Sequence, residues 1–537
     1  MKKAKITMLL ILTCSMLLGC NGHGGGEEPI QDHPVTVLGF EAMETASIQV
    51  TTDLDEAKEI HTEAQKNYLS YNGDYSKIDP DLYPNGLQHL SDPLPVKLEW
   101  EHEVPEDKEL VRYSVVYGQE EDLIDGYEVK GTKETSLDVY NSYLGDNYFR
   151  VLARYSDNSV DCTPIMSYFV DGTYPRNLKI DGMTNCRDMG GRVLDEGGKI
   201  KQGLLYRTSA TNSWGNGNAV IPDNITDAGK EELLNHLGVK TEIDVNNSGS
   251  NRVGVQNYVP AYMYYDGGKH HLFRNTEPLK VFFAALAEEE NYPVFYHCRI
   301  GTDRTGLCAI MISGLLGLPE NEIYKDYLFS NFGNIQEKRY IGEKAGRDNI
   351  QTYIEDIKLM PGATFKNKVY NLLLSIGVTK QQLDSIINIL TEGNKASGND
   401  NGQVVVTADK FTASGTSKKT SSNTAHPATY YTLGKDQSVT ASLEVKKTGT
   451  ATVVAYLGST SSNSTKISAS ISATVNGNAL TVTDKTFQEA GFGTGANRTY
   501  YAPVMLGTVD LTAGNSTIQI TGIANNLNIG AISLIYA

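Results

Sequence analysis

Short runs in which apolar and polar residues alternate dominate residues 94–172: Val96-Lys-Leu-Glu-Trp100, Tyr113-Ser-Val-Val-Tyr117, Ser136-Leu-Asp-Val-Tyr140 and Tyr148-Phe-Arg-Val-Leu-Ala-Arg-Tyr155. A period of two puts one face of a strand in a core and the other in water, and turn residues separate the runs, so this stretch predicts an all-β sandwich. The pattern changes over residues 173–392. Residues 201–209 and 239–245 read as strands, and residues 227–237 have helical spacing. Pro293-Val-Phe-Tyr296 is a short apolar run suited to a buried strand, and residues 305–316 are long and apolar enough for a buried helix. Amphipathic helical segments over residues 361–390 close the region. Alternating strands and helices predict an α/β domain with a mainly parallel central sheet. Residues 393–402, rich in Gly, Asn and Ser, read as a linker. Residues 403–537 return to alternation, as in Ser438-Val-Thr-Ala-Ser-Leu-Glu-Val445 and Ser516-Thr-Ile-Gln-Ile520, which predicts a second all-β unit, a jelly roll. Residues 21–93 read as a tether and an irregular region, with one helix-like piece at residues 54–64.

The densest chemistry lies between the strand at 293–296 and the helix from 305: His297-Cys-Arg-Ile-Gly-Thr-Asp-Arg-Thr-Gly306. A loop at a helix N-terminus offers unpaired N–H groups and a positive dipole end to an anion, and Gly301 lets the backbone curl around it. Cys298 would lie at the bottom of that cradle, its thiol lowered from ~8.5 by the helix and the cations. Arg304 offers a planar, permanently charged fork to two phosphoryl oxygens. Thr305 can donate its hydroxyl to the Cys298 sulfur, and His297 buttresses the loop by hydrogen bonding. Arg299, Ile300, Gly301 and Thr302 complete the substrate loop. Expulsion of an alcohol or phenol needs a proton donor. Asp303, inside the loop, is preferred; Asp266, on a glycine-flanked loop about thirty residues earlier, is the alternative. Tyr264, Tyr265, Lys269, His270 and His271 could wall a pocket there.

His-Cys-x5-Arg-Thr-Gly between a strand and an apolar helix resembles the signature of the cysteine-dependent protein tyrosine phosphatases. With Asp303 before Arg304 it resembles the bacterial and fungal tyrosine/serine branch, whose loop reads HCxxGxDRTG. Asn185-Cys-Arg-Asp-Met-Gly-Gly191 is similar to that branch's Asn-Phe-Arg-Asp-Leu-Gly-Gly, and Asp326-Tyr-Leu-Phe-Ser-Asn331 to the stretch after its catalytic helix. The resemblance spans roughly residues 173–395. It implies a metal-free, cofactor-free phosphomonoesterase working through a cysteinyl-phosphate, with phosphotyrosine protein the default substrate. Phosphoinositide, inositol phosphate and sugar phosphate stay open, because Thr302 stands where Lys is common, Cys186 replaces Phe, and Asp244-Val-Asn246 replaces Asp-Leu-Arg. Arg187 and Asp188 either position the catalytic loop or stabilise a turn.

The first twenty residues read as a bacterial lipoprotein signal: two early lysines, an apolar run, and Leu17-Leu-Gly-Cys20. Cleavage before Cys20 would leave a lipidated chain in the cell envelope, outside the cytoplasm. Six cysteines then reduce to four. Cys162, Cys186, Cys298 and Cys308 lack metal-like spacing; Cys162 and Cys308 read as buried hydrophobes, and a free Cys186 is preferred over a Cys186–Cys298 bridge. The net charge of −17 excludes nucleic acid as a natural partner. Trp100 in an early strand, with Leu144 and Tyr148 near a late one, resembles a fibronectin type III module. The last unit resembles carbohydrate-binding modules of the galactose-binding-like type, for which Tyr430, Tyr431, Tyr500, Tyr501 and Asn526 are candidate glycan contacts. The opposing reading is a surface glycan-binding protein whose phosphatase domain is an inactive scaffold.

Overall fold

Alternation becomes burial strand by strand in the first sandwich. Along Val96–His102 the side chains of Val96, Leu98 and Trp100 are buried while Lys97, Glu99 and Glu101 face water. This strand pairs antiparallel with Ile48–Val50 and Ser136–Val139. Opposite lies a seven-stranded sheet built around Gly145–Tyr155, which pairs with Leu110–Gly118, Val160–Cys162 and Met166–Asp171. Phe149, Val151, Trp100, Tyr113 and Tyr168 fill the space between the two sheets.

The computed structural model describes residues 43–44, 47–82, 92–212, 224–246, 251–265, 271–335, 337–342, 350–393, 402–422, 426–459, 464–490, 500–524 and 526–536. Residues 1–42 and 394–401 lie outside that set, and with them the signal, Cys20 and most of the linker. Glu41–Ala537 forms one unit. Among the described residues no helix is long and apolar enough to cross a membrane.

The stretch read as irregular carries more structure than its pattern indicates. Met43–Glu44 and Lys58–Glu59 add as parallel edge strands to the seven-stranded sheet, and Ile48–Val50 joins its partner sheet. Two or three residues are too few to show a period; backbone pairing with an existing strand places them. The helix in this region is Glu63–Leu69, later than the 54–64 piece, because Thr62 and Gln65 form a reciprocal capping box. It packs on the α/β part, where the Tyr68 hydroxyl donates to the Lys325 carbonyl at 2.8 Å and the Tyr75 amide to Asn321 Oδ1 at 2.7 Å.

The central sheet runs in the order Arg187–Asp188, Leu205–Thr208, Val294–His297, Thr241–Asp244, Asn257–Pro260. Only the first pairing is antiparallel. Val294–His297 and its two neighbours are buried at every position, as strands covered on both faces must be. Val294–His297 is thus the middle strand, and the loop 298–302 leaves its carboxyl end for the helix Asp303–Leu316, which ends at Gly317 in the left-handed region (φ +88°). The segment read as a helix at 227–237 is a helix at Asp227–Glu231 that widens into a π-helix at Glu232–His236. His236 Nε2 lies 2.7 Å from the Tyr117 hydroxyl, and Arg176 Nη1 donates to the Asn141 carbonyl at 2.8 Å, tying sandwich to α/β domain.

The last unit consists of two antiparallel sheets. One is six-stranded, around Leu527–Tyr536 and Gly449–Ser459; the other is five-stranded, around Ser438–Val445 and Gly514–Gly522. The six-stranded sheet packs against the helix Phe365–Ile376, and one apolar cluster runs unbroken from the α/β domain into this unit. At the same boundary the Tyr456 hydroxyl donates to Glu277 Oε1 at 2.9 Å and bonds Thr276.

Candidate active site

The loop is shaped by what holds its carbonyls. The Arg299 carbonyl accepts from the Ala210 amide at 3.0 Å, Ile300 from Asn185 Nδ2 at 3.1 Å, and Gly301 from Arg207 Nη2 at 2.7 Å. With these carbonyls engaged outside the loop, its N–H groups are left for an anion. Gly301 has φ +73°, and a Cβ there would lie 2.6 Å from the Thr208 carbonyl oxygen, so the turn requires glycine. Asn185 itself takes a left-handed backbone (φ +56°), and its side chain also reaches Thr302 Oγ1 at 3.3 Å.

Cys298 is 2% exposed. Burial pushes its thiol up, but the Arg304 charge and the Thr305 hydroxyl and amide outweigh both burial and the opposing charge of Asp303, so its pKa lies below that of an ordinary cysteine. Thr305 Oγ1 is buried and makes no other hydrogen bond among the described residues. His297 is fully buried. Its Nε2 lies 2.9 Å from Glu242 Oε1 and its Nδ1 3.2 Å from the Cys298 carbonyl oxygen. Burial pushes the imidazole down, but the Glu242 hydrogen bond and charge more than reverse this, so its pKa is raised.

Arg304 is held by Asn246, whose carbonyl oxygen lies 3.3 Å from Nη1 and whose Oδ1 lies 2.6 Å from Nη2. Asn246 is fixed in turn by its amide donating to Asp244 Oδ1 at 2.7 Å. Asn246, which stands where the resembled branch has Arg, therefore orients Arg304. Arg304 also sits 5.4 Å from the ring centre of Tyr265, and Tyr264 and Tyr265 are both exposed at the rim. Asn275 fixes that rim by accepting from the Tyr264 amide at 2.7 Å and donating to its carbonyl at 3.1 Å. Arg299 Nε and Arg304 Nε are buried without a hydrogen-bond partner among the described residues.

The neighbours Arg187 and Asp188 go separate ways. Arg187 donates to Asp326 Oδ1 at 2.8 Å and to Ser330 Oγ at 3.1 Å, and also grips Asn185, so it acts on the loop through Asn185. Asp188 instead pairs with Arg176 at 2.8 Å and accepts from the Gly190 and Gly203 amides, each at 2.7 Å; it stabilises turns. Arg207 completes a buried network by bonding Asp326 with one nitrogen and the Gly301 carbonyl with another. Burial pushes the Asp326 carboxyl up, but Arg187 and Arg207 hold it far below the usual range.

Asp303 receives both arms of one guanidinium: Arg339 Nε reaches Oδ1 and Nη2 reaches Oδ2, each at 3.1 Å. Asp266, Lys269 and His270 lie outside the described residues, as does the side chain of His271. Pattern reading did not pick out Asn246 as an Arg304 ligand, nor Arg207, Glu242 or Arg339. Arg207 stood within the strand read at residues 201–209, and a charge at a buried strand position was its one available signal.

Cys162, Cys186, Cys298 and Cys308 are all buried, and Cys186, Cys298 and Cys308 are free thiols. Burial pushes the Cys186 thiol well up, and it donates to the Thr184 carbonyl at 3.3 Å rather than bridging Cys298. Among the described residues no group of three His, Cys, Asp or Glu side chains could hold a metal. In the last unit Tyr431 and Tyr501 are buried; the Tyr501 hydroxyl accepts from Asn528 Nδ2 at 2.9 Å and lies 3.0 Å from His426 Nδ1. Tyr430 is half-buried and Asn526 exposed, while the side chain of Tyr500 lies outside the described set.

Residues 178–257 and 260–392 match the model of the tyrosine phosphatase family. The chain is similar to a Cupriavidus necator protein named "Putative tyrosine-protein phosphatase", with 25% identity over 189 residues; the match covers 30% of this chain and 65% of that protein. Two solved structures are similar in part. One is the core catalytic domain of the PP-IP phosphatase SIW14 from S. cerevisiae (15% identity, 30% of this chain, 80% of that chain, TM-score 0.19). The other is a family 35 carbohydrate binding module from Clostridium thermocellum (17% identity, 25% of this chain, 98% of that chain, TM-score 0.18).

Proposed function

We propose that this chain is a phosphomonoester hydrolase of the cysteine-dependent type, acting on phosphotyrosine or phosphoserine/threonine in proteins. Phosphoinositides, inositol phosphates and sugar phosphates are the alternative substrates. The observation that carries the reading is the lowered Cys298 thiol at the floor of a loop whose carbonyls are held outward, with Arg304 beside it. The family match over residues 178–257 and 260–392 supports it.

In the first step the Cys298 thiolate attacks phosphorus as the bond to the leaving oxygen breaks, while a carboxylic acid, from Asp303 or Asp266, gives that oxygen its proton. Arg304, Arg299 and the amides of Ile300, Gly301 and Thr302 hold the equatorial oxygens, and the Thr305 hydroxyl stabilises the sulfur. In the second step water attacks phosphorus, the sulfur–phosphorus bond breaks, and the water proton returns to the carboxylate. No metal enters either step.

The protein would be exported and lipidated at Cys20, with the fibronectin-like sandwich as a spacer and the last unit as a glycan-binding module on the cell envelope. Phosphate release by residues 21–537 from phosphotyrosine peptide, phosphoserine peptide, phosphoinositide and inositol hexakisphosphate, with chelator present, tests the activity. Release that survives chelator and disappears in Cys298→Ser is the expected result. No release from any substrate in reducing buffer would sink the reading.

A further inference from the structure

Asp303 lies five residues from Cys298 and its surroundings decide what it can do. Asp303 and Arg339 are 7% and 8% exposed, and they meet through two parallel bonds of 3.1 Å. Arg339 is itself pinned. Its amide donates to Asn331 Oδ1 at 2.7 Å, its carbonyl accepts from Asn331 Nδ2 at 3.0 Å, and its remaining nitrogen, Nη1, donates to the Glu337 carbonyl at 3.1 Å. Asn331 closes the Asp326–Asn331 stretch that Arg187 grips at Asp326 and Ser330. The pair is therefore built by the start of the helix on one side and a fixed segment on the other. A forked guanidinium engages both carboxylate oxygens at once. A general acid must present one of them to the leaving oxygen.

We propose that Arg339 is a positioning residue that holds both carboxylate oxygens of Asp303 and balances its charge beside Cys298, while a different group protonates the leaving oxygen. The charged and titratable groups that bear on the pair are Arg304, next in sequence, the Cys298 thiol, the Glu337 carboxylate 4.0 Å from Arg339 Nη1, and the Tyr327 and Tyr265 phenols around Arg339. Asp303 opposes the thiolate that Arg304 favours. The part concerning the leaving oxygen rests on the phosphatase reading; the part concerning the thiol does not.

The test uses residues 21–537 with Asp303→Asn, Arg339→Gln, Arg339→Lys and the Asp303→Asn/Arg339→Gln double variant. Iodoacetamide alkylation of Cys298, followed by mass spectrometry across pH, reads the thiol without turnover. Asp303→Asn lowers the alkylation midpoint by about one pH unit, the usual size for removing a nearby like charge. Arg339→Gln raises it, Arg339→Lys stays nearer the wild type, and the double variant returns toward Asp303→Asn. A midpoint that does not fall in Asp303→Asn, or does not rise in Arg339→Gln, overturns the charge relation. Phenyl phosphate and p-nitrophenyl phosphate, whose leaving groups differ in basicity, then read the proton donor. Asp303→Asn changes kcat/KM for both by the same factor. A loss about 100-fold greater for phenyl phosphate, the scale of a missing general acid, overturns the assignment. If the wild type hydrolyses neither ester, the phosphatase reading fails, and the alkylation series still decides the role of Arg339.

Discussion

Asp326→Asn tests the buried network that supports the Cys298 loop. The carboxylate is 2% exposed and takes bonds from Arg187, Arg207 and the Tyr174 hydroxyl, and both arginines are fully buried. The substitution keeps the volume and removes the charge, leaving two guanidinium groups inside the protein without their counter-ion. Breaking a buried pair by removing one partner costs about 3–5 kcal/mol. The same change loosens the loop at two points, because Arg207 bonds the Gly301 carbonyl at 2.7 Å and Arg187 holds Asn185, which bonds the Ile300 carbonyl at 3.1 Å. A displacement of about 1 Å there lowers turnover about 100-fold. Urea unfolding of the wild type and variant at several pH values measures the first effect, and phosphate release below the unfolding midpoint measures the second. The folded pKa of Asp326 is depressed, so its stabilisation is fully present above the unfolded value near 3.9 and is lost as pH falls toward the folded pKa. The gap between the two proteins is therefore full at pH 7 and narrows below about pH 4. A loss under about 1 kcal/mol at neutral pH, or a gap that stays constant on acidification, would refute the reasoning.

Asn246→Ala removes an acceptor from Arg304 and leaves the fold intact; kcat/KM falls about 10- to 100-fold with little change in thermal midpoint, as steady-state kinetics and a melt on one sample would show. Gly301→Ala forces a Cβ to 2.6 Å from the Thr208 carbonyl in a left-handed backbone, so phosphate release drops at least as far and the melting temperature falls as well. Glu242→Gln takes away the charge that raises the His297 pKa, so the imidazole titrates at lower pH in an NMR titration of the histidine ring protons. Because the folded His297 pKa is raised, its stabilising share is complete below about pH 6.5 and disappears as pH rises through the folded value. Glu242→Gln flattens that part of the stability–pH curve, and an unchanged curve would count against the pair.

The loop between strand and helix was legible because its parts are contiguous. A buried strand, a glycine turn and a helix start fall within residues 293–306, and the geometry of a helix N-terminus follows from local backbone rules. The groups that make the loop work come from elsewhere: Asn246 sits 58 residues from Arg304, and Asp326 lies 119 residues from Arg207. Nothing in residue spacing announces those meetings. Arg187 and Asp188 show why motif reading stalls at neighbours. Adjacent residues of an extended segment point to opposite faces, so one reaches the loop through Asn185 while the other closes turns with Arg176.

By itself the sequence determined the alternation of strands and helices, the placing of Cys298 and Arg304 in one loop between a strand and a helix, and the need for glycine at residue 301, all of which depend on near neighbours along the chain. Tertiary structure alone decided which charges are paired. It set Arg339 against Asp303, Glu242 against His297 and Asn246 against Arg304, and it buried Tyr431 and Tyr501, which the resemblance to carbohydrate-binding modules had offered as glycan contacts. The physical reason is common to these cases. Periodicity fixes which face a side chain occupies, whereas the partner across that face is set by how separate strands and helices pack, and a buried charge is tolerated only where that packing brings it a counter-ion.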